Sequence, residues 1–382
     1  MVRIKLTSPH FATPAVRCLA HLLLVAVAAA LPAAAQKIVE FDAPDGGVGK
    51  FQGTQPTALN NAGFITGYLT DSGNGTHGFL RKPDGHFEPN FDAPGADPVV
   101  GCTCAQAINK EGAITGYYID SSSVFHGFVR AVDGKITTFD DSDAGSENSQ
   151  GTIPLSINNA GVVAGYIVDS TNLGHGFLRS ANGKITNFDI PGAGVAAYQG
   201  TYAEGVNDSG AIAGTITDTA NVGHGFVRQS DGTSLVFDPP SAVGGAIGTY
   251  TATINDNGLV SGNFIDARSR VYVGFLRHSD GEITTFQPPN AGEKPYYGTY
   301  AVSTANLKGT TTGFFQDKNL VAHSFVRYAG KEPVAFDAPG QIEVPGTTYG
   351  SAGVAVNSDG LIAGRWHDPN YAVHGFLRFP NE

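Results

Sequence analysis

Histidine and aspartate recur together along this chain in an arrangement that acid–base chemistry could use. His126 precedes Asp140, and His175 precedes Asp189, by 14 residues each time. An imidazole beside a carboxylate is a common form of a general base. Because similar pairs recur along the chain, we predict instead that they are structural contacts holding a repeated unit together.

One copy of the repeat provides an internal comparison. The histidine position is occupied by Val273 and the matching aspartate position by Gln287, and both changes occur in that copy alone. Loss of both residues together indicates that they contact each other. By the same correspondence, we predict that His374 pairs with Asp42 from the opposite end of the chain.

Glu204 is the one charged residue that we place on a predicted innermost strand. A lone carboxylate in a narrow channel could act as a general acid or base with a raised pKa. Glycoside hydrolysis usually needs a second carboxylate, and none is evident on the other inner strands. Strand alternation could also turn Glu204 away from the channel. With no nucleophile, zinc or phosphate-loop motif in the sequence, we leave enzyme activity open and favour its absence, with Glu204 as the one catalytic candidate.

Aromatic residues distinguish the repeats from one another. Tyr202, Tyr250 and Tyr300 follow Gly-Thr at the start of a strand in three successive copies, and Tyr297 lies in a loop nearby. Such rings could stack on sugars at a channel mouth, or they could pack between repeats. The single tryptophan, Trp366, is a further candidate for ligand binding.

Carboxylates and cysteines suggest metal sites only weakly. Repeated aspartates could bind Ca²⁺, but their regular recurrence favours caps on loop amides, and residues 140–143 lack the spacing of an EF-hand loop. Cys102 and Cys104 are two residues apart, where a disulfide would be strained and a soft metal would need further ligands. We expect two small residues on an inner strand, no metal and no cofactor.

The positions of these residues follow from a repeat that returns seven times. A His-Gly-Phe motif, or a variant of it, begins at intervals of 49, 49, 49, 49, 50 and 51 residues. An asparagine, a glycine three residues later and an aspartate eight residues after that precede each copy. The motif starts, which define repeats 1 to 7, are His77, His126, His175, His224, Val273, His323 and His374.

Each repeat predicts four short strands joined by tight turns and no helix. The last repeat ends before its fourth strand, whereas residues 37–44 match residues 184–191 as an unpaired fourth strand. We therefore predict an all-β, seven-bladed β-propeller with four-stranded blades, closed by the N-terminal strand completing blade 7. An open β-solenoid is the alternative. Loops after the second and fourth strands share one edge, the long-loop rim, and the tight turns form the opposite edge, the tight-turn rim.

Residues 1–35 have the features of a signal peptide, with cleavage expected between Ala35 and Gln36. Residues 36–382 then form one propeller domain that is secreted or periplasmic and has no membrane anchor. Removing three positive charges changes the net charge from −11 to −14, with 20 basic against 34 acidic residues. We expect a monomer and exclude nucleic acid as a partner on the basis of this charge.

The run Ile-Asn-x-x-Gly-x-Val-x-Gly-Tyr followed by His-Gly-Phe-Leu-Arg resembles the bacterial extracellular repeats of the HAF family, named for a His-Ala-Phe core. The resemblance covers all seven repeats. Arg81, Arg130 and Arg179 stand where that family often has tryptophan. The resemblance implies an exported repeat protein of unestablished activity and provides no catalytic residues.

These observations give two functional hypotheses. The preferred one is a non-catalytic scaffold that binds a polysaccharide or an extracellular protein on its long-loop rim, where loops tolerate variation. The alternative is a carbohydrate-active hydrolase or lyase acting at the channel mouth through Glu204.

Overall fold

The computed structural model describes residues 37–97, 102–242, 248–305 and 309–380, and the expected signal peptide lies outside them. Within these ranges, strands follow the sequence repeat, and no helix is long and apolar enough to cross a membrane. The first strands of repeats 1 to 7 are β2 (Gly53–Leu59), β5 (Thr103–Ile108), β9 (Gly151–Ile157), β13 (Gly200–Val206), β17 (Thr249–Ile254), β21 (Thr299–Ala305) and β25 (Ser351–Val356).

The next two strands of each repeat pair antiparallel with their predecessors. The second strands are β3 (Ile65–Thr70), β6 (Ile114–Ile119), β10 (Val163–Val168), β14 (Ile212–Thr217), β18 (Val260–Ile265), β22 (Thr310–Gln316) and β26 (Ile362–His367). The third strands are β4 (Thr76–Arg81), β7 (Phe125–Arg130), β11 (Gly174–Arg179), β15 (Gly223–Arg228), β19 (Tyr272–Arg277), β23 (Ala322–Arg327) and β27 (Val373–Arg378).

Fourth strands are shorter and more exposed. In repeats 2 to 6 they are β8 (Ile136–Phe139), β12 (Ile185–Phe188), β16 (Ser234–Phe237), β20 (Ile283–Phe286) and β24 (Val334–Phe336). In repeat 1 this strand is reduced to two bridges, which Phe87 and Phe91 make to the third strand. In the last repeat its place is taken by β1 (Ile38–Phe41), which pairs antiparallel with β27 from Ile38 opposite Arg378 to Phe41 opposite Gly375.

Contacts between repeats run through the first strands. Each first strand lies beside the next one, and β25 of repeat 7 lies beside β2 of repeat 1. Third strands also touch the start of the following first strand: Val373 pairs in parallel with Gly53. A Cβ on Gly53, whose φ is +111°, would lie 2.0 Å from the Val373 carbonyl oxygen, so this junction requires glycine.

The His-Gly-Phe motif forms the core between the third and fourth strands. Its phenylalanine is fully buried in every repeat, as at Phe177. A Cβ on Gly176 would meet the Phe188 ring of the fourth strand at 2.7 Å, which explains the central glycine of the motif. The motif therefore fixes the third strand against the fourth by packing.

Cys102 and Cys104 form a disulfide, which corrects the expectation of two unlinked small residues. Their Cα atoms are 5.5 Å apart, within the range that disulfides span. The two-residue spacing did not predict the disulfide, because Cys102 lies where the loop meets β5 and not within the strand as we expected.

Candidate functional site

The predicted histidine–aspartate pairs are close in space. The His126 Nδ1 atom lies 3.0 Å from Asp140, His175 Nδ1 lies 3.0 Å from Asp189 Oδ1, and His374 Nδ1 lies 2.9 Å from Asp42 Oδ1. Repeats 1, 4 and 6 form the same contact. Its partners are His77 with Asp92, His224 with Asp238 and His323 with Asp337.

A second aspartate, at the end of the second strand, faces the other nitrogen of each ring. In repeat 2, His126 Nε2 lies 3.5 Å from Asp120 Oδ2. The Oδ1 atom of Asp120 accepts hydrogen bonds from the backbone N–H groups of Ser122 and Val124. In this repeat both ring nitrogens therefore lie beside carboxylates, and we call the Asp–His–Asp unit a structural clamp. The Nε2 contact is longer in repeat 7, at 3.8 Å, where His374 Nε2 makes no hydrogen bond.

The clamps perturb the titration of their members. The hydrogen bond to Asp42 outweighs burial and raises the pKa of His374. Burial opposes ionisation of Asp71, but its bonds to backbone N–H groups and to His77 outweigh this effect and lower its pKa. Among the described residues, no three histidine, cysteine, aspartate or glutamate side chains converge as metal ligands.

Two inter-repeat contacts were not anticipated from the sequence. The arginine at the end of each third strand stacks on the fourth-strand phenylalanine of the preceding repeat, as Arg228 does on Phe188 with 4.6 Å from Cζ to the ring centre. Between the chain ends, Arg81 stacks in the same way on Phe41, at 4.8 Å. These arginines, which include Arg130 and Arg179, thus join neighbouring repeats by cation–π contact.

The repeated asparagine also joins repeats. Asn158 Oδ1 accepts from Ala160 and Val162 in its own turn, while its Nδ2 donates to the Asn207 carbonyl of the next repeat. Asn357 donates in the same way to the Asn60 carbonyl of repeat 1. Asn306 of repeat 6 lies outside the described residues. The asparagine recurs because one side chain both stabilises its own turn and hydrogen-bonds to the next repeat.

An axial cavity of about 390 Å³ opens at the tight-turn rim. Its wall is formed by the ends of the first strands from all seven repeats, and by the asparagines. These strand-end residues are Leu59, Ile108, Ile157, Val206, Ile254, Thr304 and Val356. The wall asparagines donate to backbone carbonyls of the next repeat, as Asn60 does to the Asn109 carbonyl, so their amide groups are engaged.

Glu204 occupies the β-bulge of β13, where the pairing register with β14 shifts between Ala203 and Gly205. Its carboxyl accepts hydrogen bonds from Thr215 on the adjacent strand and Thr251 of the next repeat. Burial is the main reason that the pKa of Glu204 rises to about 8. The side chain therefore faces the next first strand and holds its proton at neutral pH.

Two of the predicted ligand-binding tyrosines are packed between repeats instead. The Tyr202 ring lies edge-on to Tyr166, and its hydroxyl donates to the Gln199 carbonyl. Tyr250 packs against Gly223, and its hydroxyl bonds to the Gly248 backbone. Both rings and both hydroxyls therefore contact the protein, and the assignment of these two partly buried tyrosines to ligand binding stays a prediction.

Trp366 is largely buried, which does not favour the ligand contact predicted for it. Only 7 % of its surface is exposed, because its indole stacks on His374 at 4.5 Å and covers Gly340. It belongs to the core of repeat 7. Tyr297 is half-buried in its loop, with Lys294 Nζ 5.6 Å from its ring centre, and lines no cavity with the other candidates.

Tyr300 contributes to a cavity of about 400 Å³ near the long-loop rim, between repeats 6 and 7, which we call the 6/7 cavity. Its ring stacks on Phe314 at 4.7 Å and an interplanar angle of 12°. The residues with polar or aromatic side chains around the cavity are Tyr300, Phe314, Gln316, Thr348, Tyr349, Ser351, Arg365 and His367.

One residue that lines the 6/7 cavity has a buried polar atom without a partner in the protein. Gln316 is 8 % exposed, and its Oε1 atom accepts no hydrogen bond. Arg365 Nη1 donates to Gln55 Oε1 at 3.3 Å. Burial, with a smaller contribution from Arg365, lowers the pKa of His367, which is therefore neutral at pH 7. An acceptor and a guanidinium thus lie beside aromatic rings in one depression.

A larger depression of about 700 Å³ lies over the clamp of repeat 6. It is bordered by two lysines and by four carboxylates, which are Glu293, Asp317, Asp337 and Glu343. The two depressions therefore differ in charge, since no carboxylate lines the 6/7 cavity.

No protein-family model and no curated protein matches the chain. Among solved structures, it is similar to streptogramin B lyase, with a TM-score of 0.54, 11% identity and coverage of 89% of this chain and 97% of that one. It is also similar to the BP39L lectin from Burkholderia pseudomallei, at 0.55 and 7%, covering 87% and 99%. The β-propeller domain of the Trilobed protease from Pyrococcus furiosus gives 0.52 and 9%, covering 87% and 96%.

Such low identities carry information about the fold alone. Together with the strand pairing, they place this chain in the all-β class of β-propellers.

Proposed function

We propose that the protein is an exported, seven-bladed, closed propeller of the HAF type that binds a polysaccharide at the 6/7 cavity without catalysis. The pairing of β1 with β27 supports closure, as does the stacking of Arg81 on Phe41. The bond from Asn357 to the Asn60 carbonyl supports it at the opposite rim. Each contact repeats, between the chain ends, one that joins neighbouring repeats elsewhere.

The observation that carries the binding proposal is the cavity itself, which is lined by aromatic rings together with Arg365 and Gln316. The buried Gln316 Oε1 has no partner in the protein, which costs free energy that a ligand hydroxyl would recover once the amide turns toward the cavity. The cavity volume of about 400 Å³ lies within the range of small-molecule sites. Sugars combine hydroxyl groups with apolar faces, and they match this mixture of amide, guanidinium and aromatic groups.

The aromatic surface continues outward from the cavity. Tyr349 lies 5.0 Å from Tyr371 and 5.8 Å from Phe51, measured between ring centres. Phe51 is 49 % exposed and has a φ of 66°, an uncommon backbone conformation for an aromatic residue. A polymer leaving the cavity would meet these rings, which favours a polysaccharide over a single sugar.

Binding can be tested with a glycan array probed by the purified protein, followed by calorimetry on the hits. We expect Gln316→Ala and Tyr349→Ala to weaken binding about tenfold or more, since each removes a cavity contact. Tyr198→Ala is the matched control, because Tyr198 is a rim tyrosine of repeat 4 with 76 % exposure and lies outside the cavity. Retention of full affinity in both cavity variants, or binding of a protein and no glycan, would refute the proposal.

The alternative function, a hydrolase or lyase acting through Glu204, has support in the position of this carboxyl on a first strand, where burial also raises its pKa to about 8. A neutral carboxyl at pH 7 can donate a proton, as a general acid must. Its hydrogen-bond partners are two threonines and no second carboxylate. Product analysis on the array hits separates the two functions: released product that disappears in Glu204→Gln would establish the enzyme.

Export is a proposal of its own. Cleavage between Ala35 and Gln36 would release a monomer to the periplasm or the medium, without a cofactor and without a nucleic-acid partner. N-terminal sequencing of the protein recovered outside the cytoplasm tests this. A mature chain that begins at residue 1 would contradict it.

A further inference from the structure

We propose that the 6/7 cavity selects a sugar that carries a carboxylate, and that Arg365 is the residue that recognises it. This inference rests on the proposed polysaccharide binding and specifies the chemistry of the ligand. The matching ligand is a uronate-containing polymer. The Arg365 guanidinium would pair with the uronate carboxylate, while the aromatic rings of the lining pack against the sugar.

Arg365 departs from the repeat in a way that opens space. The equivalent second-strand residues in the other repeats are uncharged, namely Tyr68, Tyr117, Tyr166, Thr215, Asn263 and Phe314. The first-strand residue opposite Arg365 is Ala352, where repeats 4 to 6 have tyrosine. A small residue opposite a long cationic one leaves the guanidinium bordering the cavity.

The charge of Arg365 is not neutralised by the protein. Its Nη1 atom donates to the neutral Gln55 amide oxygen, and no carboxylate forms an ion pair with it among the described residues. By contrast, the half-buried Glu88 pairs with Arg130 at 2.8 Å. A guanidinium presents a planar fork of donors that fits a carboxylate with two parallel hydrogen bonds.

A second cation lies on the outer side of the same cavity. Lys50 Nζ is 4.9 Å from the Phe51 ring centre and 5.1 Å from that of Tyr371. Phe51 in turn lies 5.8 Å from Tyr349, which lines the cavity. Lys50 therefore sits where the next acidic unit of a polymer would pass.

The overall charge makes this local arrangement informative. The chain carries 34 acidic against 23 basic residues, so its long-range field repels a polyanion. Preference for an acidic polymer would have to arise at contact distance, where screening by salt is weak for a partly buried pair. A carboxylate-free cavity with an unpaired arginine supplies that contact, whereas the depression over repeat 6 is bordered by four carboxylates.

The test compares polygalacturonate with its methyl-esterified form, which keeps the backbone and removes the charge. We expect the protein to bind the acidic form about tenfold or more tightly, and Arg365→Gln to abolish this preference while it still binds the ester. Arg365→Lys should recover part of the preference, because it keeps the charge and loses the fork. Arg268→Gln, which removes an exposed arginine outside the cavity, is the charge control and should change nothing.

The outcomes separate this inference from the proposed function. Equal affinity for the two forms, with loss in Gln316→Ala, would overturn the acidic preference and leave polysaccharide binding intact. Preference for dextran sulfate over polygalacturonate would overturn the choice of carboxylate. Binding of no polymer in any form would overturn both. Binding of the ester by Arg365→Gln also shows that the variant is folded.

Discussion

Replacing Phe41 with alanine tests the closure of the propeller most directly. Phe41 is 9 % exposed, packs beneath Arg81 and covers Gly375, where a Cβ would lie 2.4 Å from its ring. Phe41 comes from the N-terminal strand β1, whereas Arg81 belongs to repeat 1 and Gly375 to repeat 7. If the strand is part of the cooperative fold, removing this ring creates a cavity in the sheet that joins the two chain ends.

The expected cost follows from the loss of a buried phenylalanine. Such substitutions lower the free energy of unfolding by about 3–5 kcal/mol, and the stacked arginine adds about 0.5–1 kcal/mol. Because Phe41 keeps some exposure and a terminal strand can relax around the cavity, we expect Phe41→Ala to lower the free energy of unfolding by about 3 kcal/mol, the lower end of this range. Phe188→Ala is the matched control inside the chain, since Phe188 lies under Arg228 and against Gly176. It should cost about the same.

Urea unfolding measures both variants, and the single tryptophan provides a local probe. Trp366 is buried on β26, which pairs with β27, the partner of β1. Val39→Ala, at a side chain 38 % exposed on the same strand, sets the background. If Phe41→Ala costs no more than Val39→Ala while Phe188→Ala costs its full amount, the chain ends do not close the ring and the reasoning is wrong.

Three further predictions concern charge and the inter-repeat links. Burial raises the pKa of Glu204 to about 8, so the free energy of unfolding should fall as pH rises from about 4.5 to 8. At about 1.36 kcal/mol per pH unit, the total loss is up to roughly 5 kcal/mol. Glu204→Gln should flatten this slope in urea titrations across that range, and an unchanged slope would contradict the prediction. His374 has a raised pKa, so its contribution to the free energy of unfolding is complete below about pH 6.5 and is lost as pH rises through the folded pKa. His374→Gln should therefore lower the free energy of unfolding more at about pH 5.5 than at about pH 9. An equal loss at both pH values would refute the pairing with Asp42. Asn158→Ala removes the acceptor of the turn and the hydrogen bond to the Asn207 carbonyl, and it should lower the free energy of unfolding by about 1–3 kcal/mol. The control is Ser122→Ala at an exposed residue, which should lower it by less than about 0.5 kcal/mol.

The repeat made parts of the structure readable from the sequence. The joint loss of histidine and aspartate at Val273 and Gln287 indicated contacts that the structure places near 3 Å in six other repeats. The orphan strand at residues 37–44 indicated pairing with the last repeat, which Phe41 opposite Gly375 exhibits. Both inferences used differences between copies, which reveal spatial neighbours that a single copy cannot.

The exposure of a side chain depends on which neighbouring strand or loop covers it, and the sequence of a single repeat does not specify that neighbour. Period-two alternation assigns Tyr202 to a face of its strand, but the ring is covered by Tyr166 of the preceding repeat. Trp366 is covered by the long loop around Gly340. The Gln316 acceptor gave no signal, because an unpartnered oxygen is a property of packing in three dimensions.

The repeated side chains offer less to a ligand, because the fold already uses most of their hydrogen-bonding capacity. His175 has both nitrogens beside carboxylates, and Asn158 divides its oxygen and nitrogen between two repeats. Function must then come from positions where a repeat departs from the pattern and leaves capacity unused. The 6/7 cavity combines such departures: Ala352 where repeats 4 to 6 have tyrosine, Arg365 where the other repeats have uncharged residues, and Gln316 with a buried oxygen that has no partner in the protein. A propeller assembled from nearly equal units thereby acquires one chemically distinct sector, and that sector is where a ligand should bind.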